Sequence, residues 1–189
     1  MRRARSAHRW LPVTAVLGVV CVTSLGGFIV SAALSEPAGP PVSISGVVSV
    51  QPLSGWEPAE PGVVAERPVV RITRGSGTLV IVAWGPVTAD AESLAGDVVD
   101  ELLRDRLDRL TVSEVLTTVT LDQGLGAQRF TFVGIDRISG AAVEGEVTAV
   151  IALGGEGVVF VGLAPGGLLA FVDGDLHTMI AAASLRAPV

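Results

Sequence analysis

The feature that most constrains this chain of 189 residues is a long uncharged stretch near its start, from Trp10 to Ser35. A helix rises ~1.5 Å per residue, so about 20 apolar residues cross the ~30 Å hydrocarbon core of a bilayer. Residues 11–34 meet that length. The stretch therefore predicts one transmembrane helix over 11–34, preceded by a basic tail over residues 1–10.

The charges on either side of this segment predict its orientation. Arg2, Arg3, Arg5 and Arg9 precede it, and Glu36 follows it. Because cytoplasmic flanks of membrane helices carry the excess of Lys and Arg, the N-terminus is expected in the cytoplasm. The predicted location is therefore the cell membrane, with a single pass and the C-terminal part outside.

Two other interpretations of the same segment stay open at this point. Small residues at 30–33 would suit the cut of a secretory signal peptide, although the apolar region of such a peptide usually spans only ~7–15 residues. The single cysteine, Cys21, would suit a lipid anchor, but Val20 precedes it where a small residue is usual. The length of the stretch favours an uncleaved helix in which Cys21 is a small apolar residue facing lipid.

Beyond the membrane segment the chain is acidic. Nine arginines face all nineteen acidic residues there, which gives this part a net charge of about −10. Such a surface repels phosphate backbones and anionic lipid headgroups, so the composition disfavours a nucleic-acid partner. With no cysteine in this part, the domain is expected to fold without disulfides.

The remaining sequence predicts one α+β domain with a mainly antiparallel sheet over residues 42–189, joined to the membrane by a proline-rich linker over 35–41. Apolar and β-branched runs separated by glycine-rich turns predict the strands. They are expected at 42–51, 68–72, 78–84, 112–121, 127–133, 142–153 and 158–163. Residues 57–66 read as a loop, and 74–77 as a hairpin turn.

Two helices are predicted to pack on this sheet. The stronger pattern covers 88–110, with Thr88 or Asp90 as the cap and Glu92 in the first turn. Its apolar face comprises Leu94, Val98, Leu102, Leu103, Leu107 and Leu110, and its wet side carries the pairs Asp100–Arg104 and Asp105–Arg109. A C-terminal helix is expected over 168–185, with an interruption at 173–175.

Three segments carry a family resemblance. Val48-Ser49-Val50-Gln51-Pro52-Leu53-Ser54-Gly55-Trp56 is a strand leading into a Gly-Trp turn, and Gly124-Leu125-Gly126-Ala127-Gln128-Arg129-Phe130 is a glycine-rich turn into a strand. With a last helical segment at 180–186, their order resembles the PsbP-like (Mog/PsbP) fold family, in its membrane-anchored actinobacterial form. The resemblance covers residues 42–186 and implies a binding or assembly module without shared catalytic residues.

The most reactive-looking segment is Asp173-Gly174-Asp175-Leu176-His177. Asp173 and His177 would share one face of a helix at a spacing of four residues, and with Asp175 they are weak candidates for metal ligands. A zinc site needs three or four ligands, and no second cluster accompanies them. A helix start capped by Asp173 or Asp175 is the simpler interpretation, so we predict no metal and no cofactor.

Catalytic signatures are missing from the rest of the sequence. His177 is the one histidine beyond the predicted membrane segment, and no Gly-x-Ser-x-Gly run accompanies it. Glu144 and Glu146 share a strand face by their period of two, which suits a solvated surface. Trp56 and Trp84 are expected to pack at strand ends, with a pocket or partner surface as the alternative.

These patterns predict a non-enzymatic domain outside the membrane that binds a protein or a cell-envelope component. The alternative is a carrier of a small apolar ligand, which would need a lined cavity between helix and sheet. A hydrolase acting through His177 is the least favoured hypothesis. No catalytic residue is assigned.

Overall fold

The computed structural model describes residues 37–186. The predicted transmembrane helix over 11–34 and the basic tail lie outside this range. Within it, neither helix combines the length and the apolar character needed to cross a bilayer. Part of the predicted linker is joined to the domain, because Pro37 pairs with Leu53 and the Ala38 N–H donates to the Pro52 carbonyl at 2.8 Å.

The described residues form the predicted α+β domain, and every strand pairing in it is antiparallel. The strands are β1 Val42–Ile44, β2 Val48–Val50, β3 Glu57–Pro58, β4 Gly62–Val64, β5 Arg67–Arg74, β6 Gly77–Pro86, β7 Leu107–Val112, β8 Thr117–Thr120, β9 Gly126–Asp136, β10 Ala142–Ile151, β11 Glu156–Pro165 and β12 Ser184–Leu185. The large sheet has the order β3-β5-β6-β11-β10-β9-β7, with β4 added to β5 and β8 to β9. A small sheet has the order β1-β2-β12.

Helix α1 contains three stretches. It is α-helical over Ala91–Val98, π-helical over Val99–Leu103 and α-helical again over Arg104–Arg106. A 3₁₀ turn at Leu169–Phe171 precedes helix α2, Asp173–Ala181.

Both faces of the large sheet are covered. On one face, which we call the α1 face, Val82, Val147 and Val159 pack with α1. On the other, the α2 face, Ile81 and Phe160 pack with α2 and the small sheet. Side chains alternate between the faces along each strand, so the central strands β6 and β11 are almost continuous apolar runs.

Helix α1 begins close to the predicted point. Asp90 is its N-cap and accepts a hydrogen bond from the Ser93 N–H at 2.9 Å, which lowers the pKa of the Asp90 carboxyl. Glu92 lies in the first turn, and the Asp100–Arg104 pair forms at 2.8 Å. Thr88 lies before the helix and does not cap it.

The C-terminal end of α1 was predicted wrongly. The chain leaves the helix at Leu107, and Leu107–Val112 forms β7 against β9. Arg109 has a φ of +49°, so the predicted helical pair Asp105–Arg109 does not form. In the strand, the neighbouring Asp108 carboxylate accepts a hydrogen bond from the Arg137 Nε–H at 2.8 Å. The strand is formed because Leu107 can still bury its side chain while its backbone gains a partner strand.

Other segments also differ from the prediction. Residues 42–51 form a hairpin, β1–β2, because Ser45 and Gly46 both have positive φ and reverse the chain. The expected loop over 57–66 contains β3 and β4, which extend the edge at β5. The strand predicted over 112–121 is shorter in the structure. Val112 is the last residue of β7, and β8 begins only at Thr117.

The C-terminal helix is shorter than predicted. Its α-helical part ends at Ala181, and the chain then pairs with β2 through β12. Asp173 is the first helical residue, so the interruption predicted at 173–175 is the start of the helix. The hairpin at 74–77 is confirmed, with Arg74 paired to Gly77.

Close packing of the central strands gives a test of this architecture. A Cβ on Gly145 in β10 would lie 2.5 Å from the Gly162 carbonyl oxygen and 2.5 Å from the Phe132 ring. We expect Gly145→Ala to lower the free energy of unfolding by about 1–3 kcal/mol, as overpacking does. Urea denaturation of the full-length chain measures the change.

Gly96 is the matched control. It lies in α1, and a Cβ there would meet nothing within 4 Å. Gly96→Ala should raise the free energy of unfolding by about 0.5–1 kcal/mol through helix propensity. Changes of the same sign in both variants would contradict the packing described here.

Candidate binding site

A pocket of about 360 Å³ lies on the α1 face, beside the C-terminal end of α1. Strands β5, β6, β10 and β11 supply one wall, and α1 with the start of β7 supplies the other. The lining residues are Val64, Arg71, Ser76, Thr78, Val80, Leu102, Leu103, Arg106, Leu107, Asp136, Val143, Val161, Leu163, Ala164 and Pro165. Most of them are apolar.

The sheet side of the pocket follows from strand alternation. Val80, Val161 and Val143 lie on adjacent strands and point to the α1 face. Arg71 is paired with Val80 across β5 and β6, and it points to the same face. The sheet therefore offers an apolar surface bordered by one cation.

The helix side depends on the π-helical turn. The Arg104 N–H donates to the Val99 carbonyl five residues earlier, which adds one residue to the turn. Consecutive residues Leu102 and Leu103 both line the pocket. Single π-helical turns of this kind are frequent at functional sites.

Asp136 and Arg106 form an ion pair at the edge of the pocket. The Arg106 Nε–H donates to Asp136 Oδ2 at 2.7 Å. The other carboxylate oxygen accepts from the Ile138 N–H, the Ser139 N–H and the Ser139 hydroxyl. The backbone bond from Ser139, followed by the bond from Arg106, lowers the pKa of Asp136 to about 2. Asp136 is therefore ionised at neutral pH and neutralises Arg106.

On the α2 face, Asp175 joins two distant segments. Its Oδ2 accepts from the indole N–H of Trp56 at 2.9 Å and from the Arg74 guanidinium. Trp56 is buried in the core, and Asp175 is 14% exposed. Asp175 therefore anchors the first turn of α2 to the β5–β6 hairpin and to the segment before β3.

His177 belongs to a second polar cluster on the α2 face. Its Nε2 lies 2.9 Å from Glu146 Oε1, and Arg129 contacts the same carboxylate at 3.3 Å. The Arg129 Nε–H also donates to Thr148 Oγ1 at 3.2 Å. Glu146 thus lies against α2 and is only 12% exposed.

The weak metal candidates point to different partners. Asp175 faces Trp56, His177 faces Glu146, and Asp173 accepts from the adjacent Gly174 N–H at 2.7 Å. Within residues 37–186, no three His, Cys, Asp or Glu side chains converge on a point where a metal ion could bind. The nearby Glu144 carboxylate accepts a hydrogen bond from the backbone N–H of Leu169.

Neither domain tryptophan lines the pocket. Trp84 lies on the α1 face, where the Arg67 guanidinium stacks on its ring at 3.7 Å. Arg67 also donates to Glu101 of α1 at 2.6 Å. Trp84 therefore takes part in joining β5 to α1, and a partner surface at Trp56 or Trp84 stays a prediction.

Comparison with known proteins adds no assignment. No family model matches the chain, and no curated protein matches it closely enough to count as a relative. The resemblance to the PsbP-like fold family stays a prediction.

Sequence reasoning missed the charged residues of the pocket. Arg71 carried a signal, because it interrupts the apolar run from Val69 to Ile72 and must face away from Val70. Arg106 and Asp136 are 30 residues apart and meet through the pairing of Leu107 with Asp136. No local pattern predicts that contact.

The role of Asp175 can be tested by truncation. Asp175→Ala leaves the buried Trp56 N–H without its acceptor, so the free energy of unfolding should fall by about 1–3 kcal/mol. Asp173→Ala, which removes only a bond to the adjacent residue, should change it by less than about 0.5 kcal/mol. Equal losses in denaturation of the two full-length variants would rule out a specific anchoring role.

Acid titration tests the environment of Asp136. Because its pKa is lowered from the ordinary value of 3.8 to about 2, its stabilising contribution is complete above the ordinary value and is lost as pH falls through about 2. Urea midpoints measured across this window should fall less steeply for Asp136→Asn than for the wild type. Equal slopes for Asp136→Asn and the wild type would contradict this environment of Asp136.

Proposed function

We propose that this is a single-pass membrane protein whose domain outside the membrane is a non-enzymatic binding module for a small apolar or amphipathic component of the cell envelope. The four arginines before residues 11–34 and Glu36 after them support this orientation. The observation that carries the binding proposal is the pocket between α1 and the sheet.

The volume and the lining of the pocket fit a small ligand. Ligand sites span roughly 300–1,000 Å³ and combine apolar walls with a few polar groups. The pocket, at about 360 Å³, lies at the lower end of that range. Its walls are mostly Val and Leu, so an alkyl chain would exchange water for apolar contact along its length.

The arrangement of titratable groups supports binding over catalysis. Ser76 and Thr78 line the pocket on the α1 face, whereas His177 contacts Glu146 on the α2 face. The sheet separates these hydroxyls from the imidazole, and a nucleophile needs its base within hydrogen-bond reach. Asp136 is engaged by four donors, which leaves it poorly placed as a general base.

A protein partner is the second candidate, supported by exposed apolar side chains. Ile138 is 79% exposed and Phe171 is 81% exposed. Ile138 lies in the β9–β10 turn, and Phe171 lies in the 3₁₀ turn shortly after β11. The end of β11 lies beside the start of β10, because the Gly166 N–H donates to the Ala142 carbonyl. Ile138 and Phe171 therefore extend from the same end of the sheet, the kind of surface that partners contact.

Narrowing the pocket tests the primary proposal. Val80→Phe places a ring among the lining residues and should prevent an alkyl chain from entering. The probe is a ten-carbon alcohol carrying a photoactivatable diazirine, added to the full-length chain in detergent micelles. We expect cross-links in the wild type at residues 102–107 and 161–165, mapped by peptide mass spectrometry, and at least a fivefold lower yield in Val80→Phe, since ring and chain compete for one volume.

Val133→Phe is the matched control, because Val133 is half exposed on β9 and does not line the pocket. Its cross-linking should equal that of the wild type, and circular dichroism should confirm that both variants are folded. If pocket peptides are not labelled in the wild type, or are labelled equally in Val80→Phe, the binding proposal is wrong.

A further inference from the structure

The pocket carries a positive lining charge within an acidic domain. Its charged residues are Arg71, Arg106 and Asp136. Asp136 is paired with Arg106 at 2.7 Å, and the lowered pKa keeps it ionised. Among the described residues 37–186, no carboxylate neutralises the third of these charged groups, the guanidinium of Arg71.

Arg71 differs from most arginines of the described domain. Six of them contact a carboxylate: Arg67, Arg74, Arg104, Arg106, Arg129 and Arg137. Within residues 37–186, Arg71 has neither an ion-pair partner nor a side-chain hydrogen bond. Arg109 and Arg186 share this property, but neither lines the pocket.

The position of Arg71 suits the polar end of a ligand. It is exposed, and its strand neighbour Val80 belongs to the apolar wall. A guanidinium presents donors in a planar fork that matches a carboxylate or a phosphate. Ser76 and Thr78 add hydroxyl donors at the same pocket.

We infer that the ligand of this pocket is an amphiphile with an anionic headgroup, whose carboxylate or phosphate is bound by Arg71 while its alkyl chain lies between α1 and the sheet. This inference rests on the proposed binding function. The apolar walls account for affinity towards any alkyl chain, and Arg71 adds selectivity for the charged ones. A neutral amphiphile would leave the guanidinium fork without an acceptor.

Competition measures this selectivity directly. The full-length chain in neutral micelles is labelled with the photoactivatable alcohol, and the label is displaced by decanoate, decyl phosphate or decanol. A hydrogen bond between charged partners is worth about 1.5–3 kcal/mol, so at least one of the two anions should compete at about ten- to a hundredfold lower concentration than decanol. The ranking of the two anions distinguishes a fatty-acid headgroup from a phospholipid-type headgroup.

Arg71→Gln should bring the displacing concentrations of the two anions to that of decanol, so that the preference measured within this variant disappears. Arg71→Lys should show part of the preference for the anions, because lysine keeps the positive charge but lacks the planar pair of donors of the guanidinium. Arg109→Gln is the matched control and should behave as the wild type. Partitioning of each competitor into protein-free micelles is measured separately, so that its concentration can be corrected for uptake by the detergent.

The outcomes separate the two proposals. Equal displacement by decanol and both anions in the wild type, or a preference that persists in Arg71→Gln, overturns the anionic headgroup and leaves the binding function standing. Failure of the alcohol probe to label the pocket overturns both. A preference lost in Arg71→Gln and retained in Arg109→Gln supports the inference.

Discussion

The structure depends on the burial of the central strands on both faces. Val82 and Ile81 are adjacent in β6, and both are buried, one towards α1 and the other towards α2. The same holds for Val159 and Phe160 in β11. An antiparallel sheet can leave one face to water, but this one cannot, so both faces need a cover. The chain supplies α1 for one face and a helix with a three-stranded sheet for the other.

The pocket forms where the α1 cover ends. A helix continuing to Leu110, as the apolar pattern predicts, would extend α1 by about 6 Å. The chain instead enters β7 at Leu107, because β9 offers a partner for its backbone. Val80, Val143 and Val161 line the resulting gap. The pocket thus results from the position at which α1 ends and β7 begins. Exposed apolar surface of this kind often marks an interaction site.

Much of the fold could be predicted from local patterns. Apolar runs and glycine-rich turns predicted the α+β class and the 74–77 hairpin. The residue types at the helix start predicted Thr88 or Asp90 as the cap, and Asp90 is the one that forms it. Each of these features depends on residues close in sequence. The end of α1 could not be predicted, because Leu107 and Leu110 fit a helical period as well as an alternating strand. The short strands β3, β4 and β12 were missed because two or three residues carry no period of their own.

The site was less predictable than the fold, because it depends on contacts between distant residues. Asp175 reaches Trp56 across 119 residues, and Glu146 reaches His177 across 31. A segment that looks reactive in sequence, 173–177, is occupied by structural contacts once the chain folds. Arg71 looks like an ordinary exposed strand residue until the strand order places it beside the end of α1.

The polar contacts also explain why the two faces differ. On the α2 face, Asp175, Glu146 and Glu144 each bind groups that position α2 or the turn before it. Separating a partly buried carboxylate from its hydrogen-bond donors costs free energy, so these contacts stabilise the packing of α2 on the sheet. On the α1 face, Arg67 fixes one part of α1 through Glu101, and Arg106 fixes its end through Asp136. Arg71 lines the mostly apolar pocket on this face and contacts no carboxylate within residues 37–186, so a ligand can supply the negative charge that would pair with it.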